Sequence, residues 1–146
     1  MLAEAGRASA VALGPGLGRA EATTAAVHDL IDRVALPLVL DADGLWHLGG
    51  APERLAGRRH PTVITPHSGE AARLLGRERG AVEADRLACA RELAERSGAV
   101  VVLKGAGAIT AAPAAVPRVT AGGPPPLATA RPRGMSLINR SAAQNG

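Results

Sequence analysis

Four short segments of this 146-residue chain gather residue types that act on small polar ligands. In Val63-Ile64-Thr65-Pro66-His67-Ser68-Gly69-Glu70 an apolar run stops at a proline, an imidazole, a Ser-Gly pair and a carboxylate. His67 can bond a ligand or shuttle a proton, although a histidine at a turn also serves purely local structure. Glu70 falls in the first turn of the helical pattern that follows, where a carboxylate suits the helix dipole without further function. Lys104-Gly105-Ala106-Gly107 places a cation and then two glycines at the tip of another apolar run. Lysine supplies charge to phosphate, and glycines let backbone N–H groups approach it. The spacing is not that of a Walker loop. Gly14-Pro15-Gly16-Leu17-Gly18 can cradle an anion ahead of a helix N-terminus or simply make a tight turn. Its third glycine comes one residue too early for a dinucleotide fingerprint. Asp41 and Asp43 can hold Mg²⁺ or a ligand hydroxyl, while Asp43 serves equally as a helix cap.

These segments need a scaffold that brings them together. Ser9–Leu13, Leu38–Leu40, Thr62–Thr65 and Ala99–Leu103 are short apolar runs, and each ends in one of the polar or glycine-rich segments. Between them lie helical patterns through Ala22, Ala26, Val27, Leu30, Ile31 and Val34, through Leu45 and Leu48, through Ala71, Ala72, Leu74 and Leu75, and across Val82, Leu87, Ala90 and Leu93. Continuous apolar strands alternating with helices predict an α/β fold with a mostly parallel sheet covered on both faces. In such sheets ligands bind at the carboxyl ends of the strands. The four strand tips are therefore expected along one edge.

Composition limits the partners. One Cys rules out an internal disulfide and fits a reducing cytosol. No apolar run approaches ~18 residues, so no membrane span is expected. Phe and Tyr are absent and Trp46 is the sole aromatic of its kind, which leaves little for stacking nucleic-acid bases. The net charge of +4 is uneven: residues 1–95 carry 11 Arg against all 13 acidic residues, and residues 96–146 carry six Lys plus Arg and no acid. The positive charge thus belongs to the tail, and no nucleic-acid partner is expected. Six of the 11 prolines lie between Pro113 and Pro132. The chain is accordingly read as a domain over residues 1–112 and a Pro/Arg-rich irregular tail over 113–146.

Taken in order, four segments resemble the ADP- or ATP-dependent NAD(P)H-hydrate dehydratases of the ribokinase-like superfamily: Ala12–Gly18, Val39–Leu45, Ile64–Glu70 and Val102–Gly107. The resemblance covers about residues 9–130. It implies a ribokinase-like three-layer fold and the repair of NADHX and NADPHX, the hydrated forms of the reduced nicotinamide cofactors. It implies ADP or ATP with Mg²⁺ as cofactors, a cytoplasmic location and a homo-oligomer. By the same resemblance Gly16 and His67 contact the hydrated nicotinamide, and Lys104, Gly105, Ala106, Gly107 and Ala108 lie along the nucleotide phosphates. Ala108 replaces the family's usual Thr and removes a hydroxyl. The metal ligands stay open, with Asp41, Asp43 and Glu70 as candidates.

Two departures shape the expectation. The chain begins almost at the first motif, where the family has a substantial preceding portion. Pro125–Ala130 resembles the approach to a Gly-Thr-Gly-Asp turn that supplies the family's anion hole and general base, yet the next residues are Arg131-Pro132-Arg133-Gly134. No aspartate follows Asp85. No catalytic residue is therefore assigned, and the expectation is a truncated or frameshifted domain, incomplete at both ends, with little or no activity and poor solubility on its own. A small-molecule kinase of the same superfamily and a non-catalytic nucleotide-binding fragment are the alternative readings.

Overall fold

The computed structural model describes residues 8–120 in full and the backbone of residues 135–138. Strands β1 (Ala10–Leu13), β2 (Leu38–Leu40), β3 (Thr62–Ile64) and β4 (Val100–Leu103) pair in parallel, side by side in chain order. The crossover from β1 to β2 is helix α1 (Glu21–Arg33). That from β2 to β3 holds the short α2 (Asp43–Trp46) and a 3₁₀ turn at Pro52–Leu55. That from β3 to β4 holds α3 (Ser68–Leu75), α4 (Arg79–Ala84) and α5 (Arg86–Ser97). The apolar runs marked out in the sequence are these four strands, and their ends fall within a residue of the expected ones.

Three more strands widen the sheet. β5 (Ala108–Ala111) turns back antiparallel to β4, and β6 (Arg118–Thr120) lies antiparallel to β5. β7 (Met135–Ile138) pairs in parallel with β1, Ala10 facing Met135. The order across the sheet is β6-β5-β4-β3-β2-β1-β7. β6 and β7 fall in the stretch expected to be irregular. All three residues of β6 are exposed, so no apolar pattern marks it, and backbone pairing with β5 makes it a strand.

One face of the sheet is deeply buried. Val11, Leu13, Leu38, Leu40, Ile64, Val101 and Leu103 form one core with Val27 and Ile31 of α1, Leu74 of α3, and Cys89 and Leu93 of α5. Burying such side chains contributes about 1.5–3 kcal/mol each. The alternate residues Val39, Val63, Val100 and Val102 are half-buried, so the other face is covered less deeply. The valine runs look uniformly apolar because β-branched residues suit a half-buried sheet surface as well as a closed one. Among the described residues no helix is long and apolar enough to cross a membrane.

The crossovers are built for tight strand ends. Gly14 has φ +146°, and a Cβ there would stand 1.7 Å from the Asp41 carbonyl oxygen. Gly44 faces it from the other strand tip, where a Cβ would lie 2.7 Å from the Leu13 carbonyl oxygen. Only glycine at both places lets the β1 and β2 tips close to this distance.

Candidate active site

All four segments converge at the carboxyl edge of the parallel strands. Beyond the tips of β3 and β4 the backbones stay together: Lys104 N–H donates to the Pro66 carbonyl at 2.8 Å, and His67 and Lys104 form an isolated parallel bridge. Across the edge, Lys104 Nζ donates to Asp41 Oδ1 at 2.7 Å. Neither side chain is sealed, with 43% of Lys104 and 34% of Asp41 exposed, so the ammonium remains open to an anion.

His67 has a structural duty as well as a position in the site. It is the N-cap of α3, its Nδ1 accepting from Gly69 N–H at 3.0 Å and Glu70 N–H at 3.2 Å. Glu70 completes the capping box by accepting from His67 N–H at 2.8 Å. Because Nδ1 accepts two N–H groups, the ring proton of neutral His67 resides on Nε2. That nitrogen lies 3.5 Å from Glu70 Oε1, and the His67 side chain is 60% exposed. The local and the ligand readings of His67 are thus compatible, since the cap fixes the ring and leaves Nε2–H outward.

The turn after β4 is held from below by a residue not singled out in the sequence. Arg86, first residue of α5, donates to the carbonyls of Ala106 at 2.7 Å, Lys104 at 3.2 Å and Leu103 at 3.3 Å. Gly105, at φ +151°, packs against this guanidinium, and a Cβ there would stand 2.6 Å from Nη2. Gly107 has φ +71°, and Ala108 follows as the first residue of β5. With two carbonyls of the turn and that of Leu103 at the end of β4 committed to it, the Arg86 guanidinium lies behind the exposed residues of the turn, 3.9 Å from Glu83 Oε2.

The glycine loop after β1 is held by Asp43 and by a buried histidine. Asp43 Oδ2 accepts from Gly18 N–H at 3.1 Å, and its Oδ1 accepts from Arg19 Nε at 3.0 Å. Asp43 is the first residue of α2, whose N-cap is Ala42, and its carboxylate bonds the glycine loop, which leaves the helix-cap expectation unmet. His47, 2% exposed, lies within hydrogen-bond distance of the Gly18 carbonyl through Nε2, at 2.9 Å, and of Thr24 Oγ1 through Nδ1, at 2.8 Å. Facing a carbonyl, Nε2 must carry the proton, so Nδ1 accepts from the threonine hydroxyl. Gly16 sits exposed in this loop at φ +76°. Ala42, between the two aspartates, has φ +47°, a conformation that costs a non-glycine residue energy and clusters at ligand sites.

A cleft of about 280 Å³ opens between α2 and α3, lined by Arg19, Leu45, Trp46, His67, Glu70 and Arg73 among others. Arg73 stacks its guanidinium 4.6 Å from the centroid of the Trp46 ring. A larger cleft of about 440 Å³ lies at the opposite edge, where Arg58 donates to the carbonyls of Ile31, Val34 and Leu36. Burial lowers the pKa of Arg58 from its ordinary value, and its role there is to close the end of α1.

As metal ligands the candidate carboxylates do not converge. Asp41 faces Lys104, Asp43 faces the glycine loop, and Glu70 faces His67. Among the described residues no group of three His, Cys, Asp or Glu side chains is placed to hold an ion. The expected Gly-Thr-Gly-Asp position, Arg131–Gly134, lies outside the described residues.

Comparison with known proteins agrees with this arrangement. A family profile described as NAD(P)H-hydrate dehydratase matches residues 1–130. The chain is 45% identical over 136 residues to the bifunctional NAD(P)H-hydrate repair enzyme Nnr of Thermofilum pendens, covering 93% of this chain and 26% of that protein. It is 50% identical over 103 residues to the Nnr enzyme of Mycobacterium tuberculosis H37Rv, covering 70% of this chain and 21% of that protein. The chain therefore spans about a quarter or less of these relatives. Among solved structures, a Bacillus subtilis ADP/ATP-dependent NAD(P)H-hydrate dehydratase co-crystallized with ATP/Mg²⁺ superposes with a TM-score of 0.64 at 31% identity, over 76% of this chain and 38% of that one. A ribokinase-like superfamily protein of Enterococcus faecalis V583 has a TM-score of 0.64 at 22% identity, over 83% of this chain and 42% of that one, a likeness of fold. Strand tips, motif order and relatives agree, and the chain belongs to the NAD(P)H-hydrate dehydratase family.

Proposed function

We propose that this chain holds hydrated NADH or NADPH against Gly16 and His67 and the phosphates of ADP or ATP along Lys104–Ala108, in service of ADP/ATP-dependent dehydration of NAD(P)HX. The observation that carries the reading is the backbone bridge between His67 and Lys104, which sets the two residues side by side at the strand tips. The fit to a nucleotide rests on the turn itself. Gly105 and Gly107 adopt φ values that favour glycine, Arg86 adds positive charge behind them, and Lys104 is accessible. Mg²⁺ is usually held by substrate phosphates and water with one or two carboxylates, and Asp41 stands at the same edge as the Lys104 turn. Ala108 offers no hydroxyl, so contact there falls to the backbone.

When bound, the nucleotide supplies the phosphoryl group that turns the ring hydroxyl into a leaving group. Such chemistry depends on positioning and charge neutralisation. Lys104 offsets phosphate charge, the glycine turn lets the phosphates approach the main chain, and His67 orients the substrate through Nε2–H. No aspartate follows Asp85, which caps α5 by accepting from Ala88 N–H. No general base is assigned among the described residues.

Calorimetric titration with ADP and with NADHX, beside an NADHX turnover assay, tests this reading. Saturable binding of both ligands is expected. Failure of both ligands to bind sinks the site assignment, and binding without turnover confines the chain to holding the ligands.

A further inference from the structure

We infer that Arg73, stacked on Trp46, forms an anion subsite that takes the phosphate-bearing arm of the dinucleotide substrate and so makes the cleft selective for a dinucleotide over a bare nicotinamide nucleoside. The inference rests on the substrate assignment made above, and it adds to Gly16 and His67 two residues that no motif marks.

The cleft has the shape and charge for this. It lies between α2 and α3, with Leu45 and Trp46 on its α2 side, His67 and Arg73 on its α3 side, and Arg19, three residues beyond Gly16, also in its lining. A nicotinamide held between Gly16 and His67 would extend its ribose and phosphates into the same space. Arg19 is neutralised by Asp43 at 3.0 Å, and Glu70 is occupied by the His67 N–H at 2.8 Å. Arg73 has no carboxylate partner among the described residues. Its planar guanidinium rests instead on the Trp46 ring at 4.6 Å.

Stacking on an indole orients a guanidinium while leaving its N–H edge free for a phosphate fork. The Trp46 ring is itself fixed edge-on against His47, with ring centroids 5.0 Å apart at 88°. Arg73 is thus a pre-oriented cation whose paired donors point to no other group of the site. A lysine could deliver the charge but not the two parallel bonds.

Trp46 is the sole tryptophan of the chain, so its fluorescence reports directly on this subsite. The probes are NADPH and nicotinamide riboside, titrated into the full chain and into R73Q and R73K, with ADP as a control for the Lys104 turn. Expected are saturable NADPH quenching in the wild type, a loss of NADPH affinity of about tenfold or more in R73Q, partial retention in R73K, and unchanged affinities for the riboside and ADP. Wild-type protein that binds neither NADPH nor the riboside overturns the substrate assignment itself. Wild-type binding of NADPH with undiminished affinity in R73Q overturns the Arg73 subsite alone. An equal loss for NADPH, riboside and ADP marks a general disturbance of the fold and also overturns it.

Discussion

Lys104 and Asp41, 63 residues apart in sequence, form an ion pair of 2.7 Å across the carboxyl edge of the sheet. Partly exposed pairs of this kind contribute roughly 0–1 kcal/mol to stability. The pair holds the ammonium at the mouth of the glycine turn and offsets its charge until an anion arrives. Lys104→Met is expected to lower ADP affinity at least tenfold with a small change in Tm, and Asp41→Asn to raise ADP affinity modestly by releasing the ammonium. Calorimetry on both variants checks the signs, and a fall in ADP affinity for Asp41→Asn would mean that the carboxylate helps bind the nucleotide.

Substitution separates the helix-cap role of His67 from its proposed ligand role. His67→Ala removes the N-cap of α3 and is expected to cost about 1 kcal/mol of stability together with NADHX affinity. His67→Asn supplies a good N-cap in place of the imidazole, so stability returns and ligand affinity does not. Thermal unfolding set beside NADHX titration reads the two effects independently. Full recovery of ligand affinity in the asparagine variant would reduce His67 to a helix cap.

Arg86 is expected to set the shape of the phosphate turn. Arg86→Gln frees three carbonyls and removes the charge behind Gly105, so ADP affinity should drop by an order of magnitude or more. NADHX affinity, assigned by the proposal to Gly16 and His67, should hold. Equal weakening of both ligands would show that Arg86 supports the fold at large.

Gly14 tolerates no side chain. Gly14→Ala forces a Cβ into the Asp41 carbonyl at a φ unsuited to alanine, and a loss of about 3 kcal/mol is expected. Denaturant unfolding measures it. A midpoint equal to the parent's would require the β1 and β2 tips to part without cost.

Away from the site, Arg96 donates to Glu53 at 2.6 Å and holds the carboxyl pKa below its ordinary value of 4.5. A depressed carboxylate stabilises the fold above its unfolded pKa, and the contribution disappears as pH falls through the folded value. Stability should therefore decline as pH drops from 4.5 downward, with Glu53→Gln lacking this part of the decline. Since Glu53 is exposed, the difference between the two profiles should be small. Parallel profiles for parent and variant would remove the pair from the acid response.

The sequence by itself determined the four parallel strands and their polar tips. Short apolar runs bounded by glycine, aspartate or histidine have few other ways to bury their surface, and right-handed crossovers then align their ends. His67, Lys104, Gly16 and Asp41 were legible for that reason. Only the tertiary structure decided which side chains serve them. Arg86 and His47 act through backbone carbonyls, which carry no residue identity, and each meets its partners about 17 to 29 residues away along the chain. Arg73 and Trp46 look like an ordinary helix surface and an isolated aromatic until α2 and α3 are packed side by side. Strands β6 and β7 were hidden by the same physics, because pairing energy in an edge strand comes from main-chain hydrogen bonds supplied by a neighbour. Residue type selects the tips of this sheet, and the distances between chain segments make them a site.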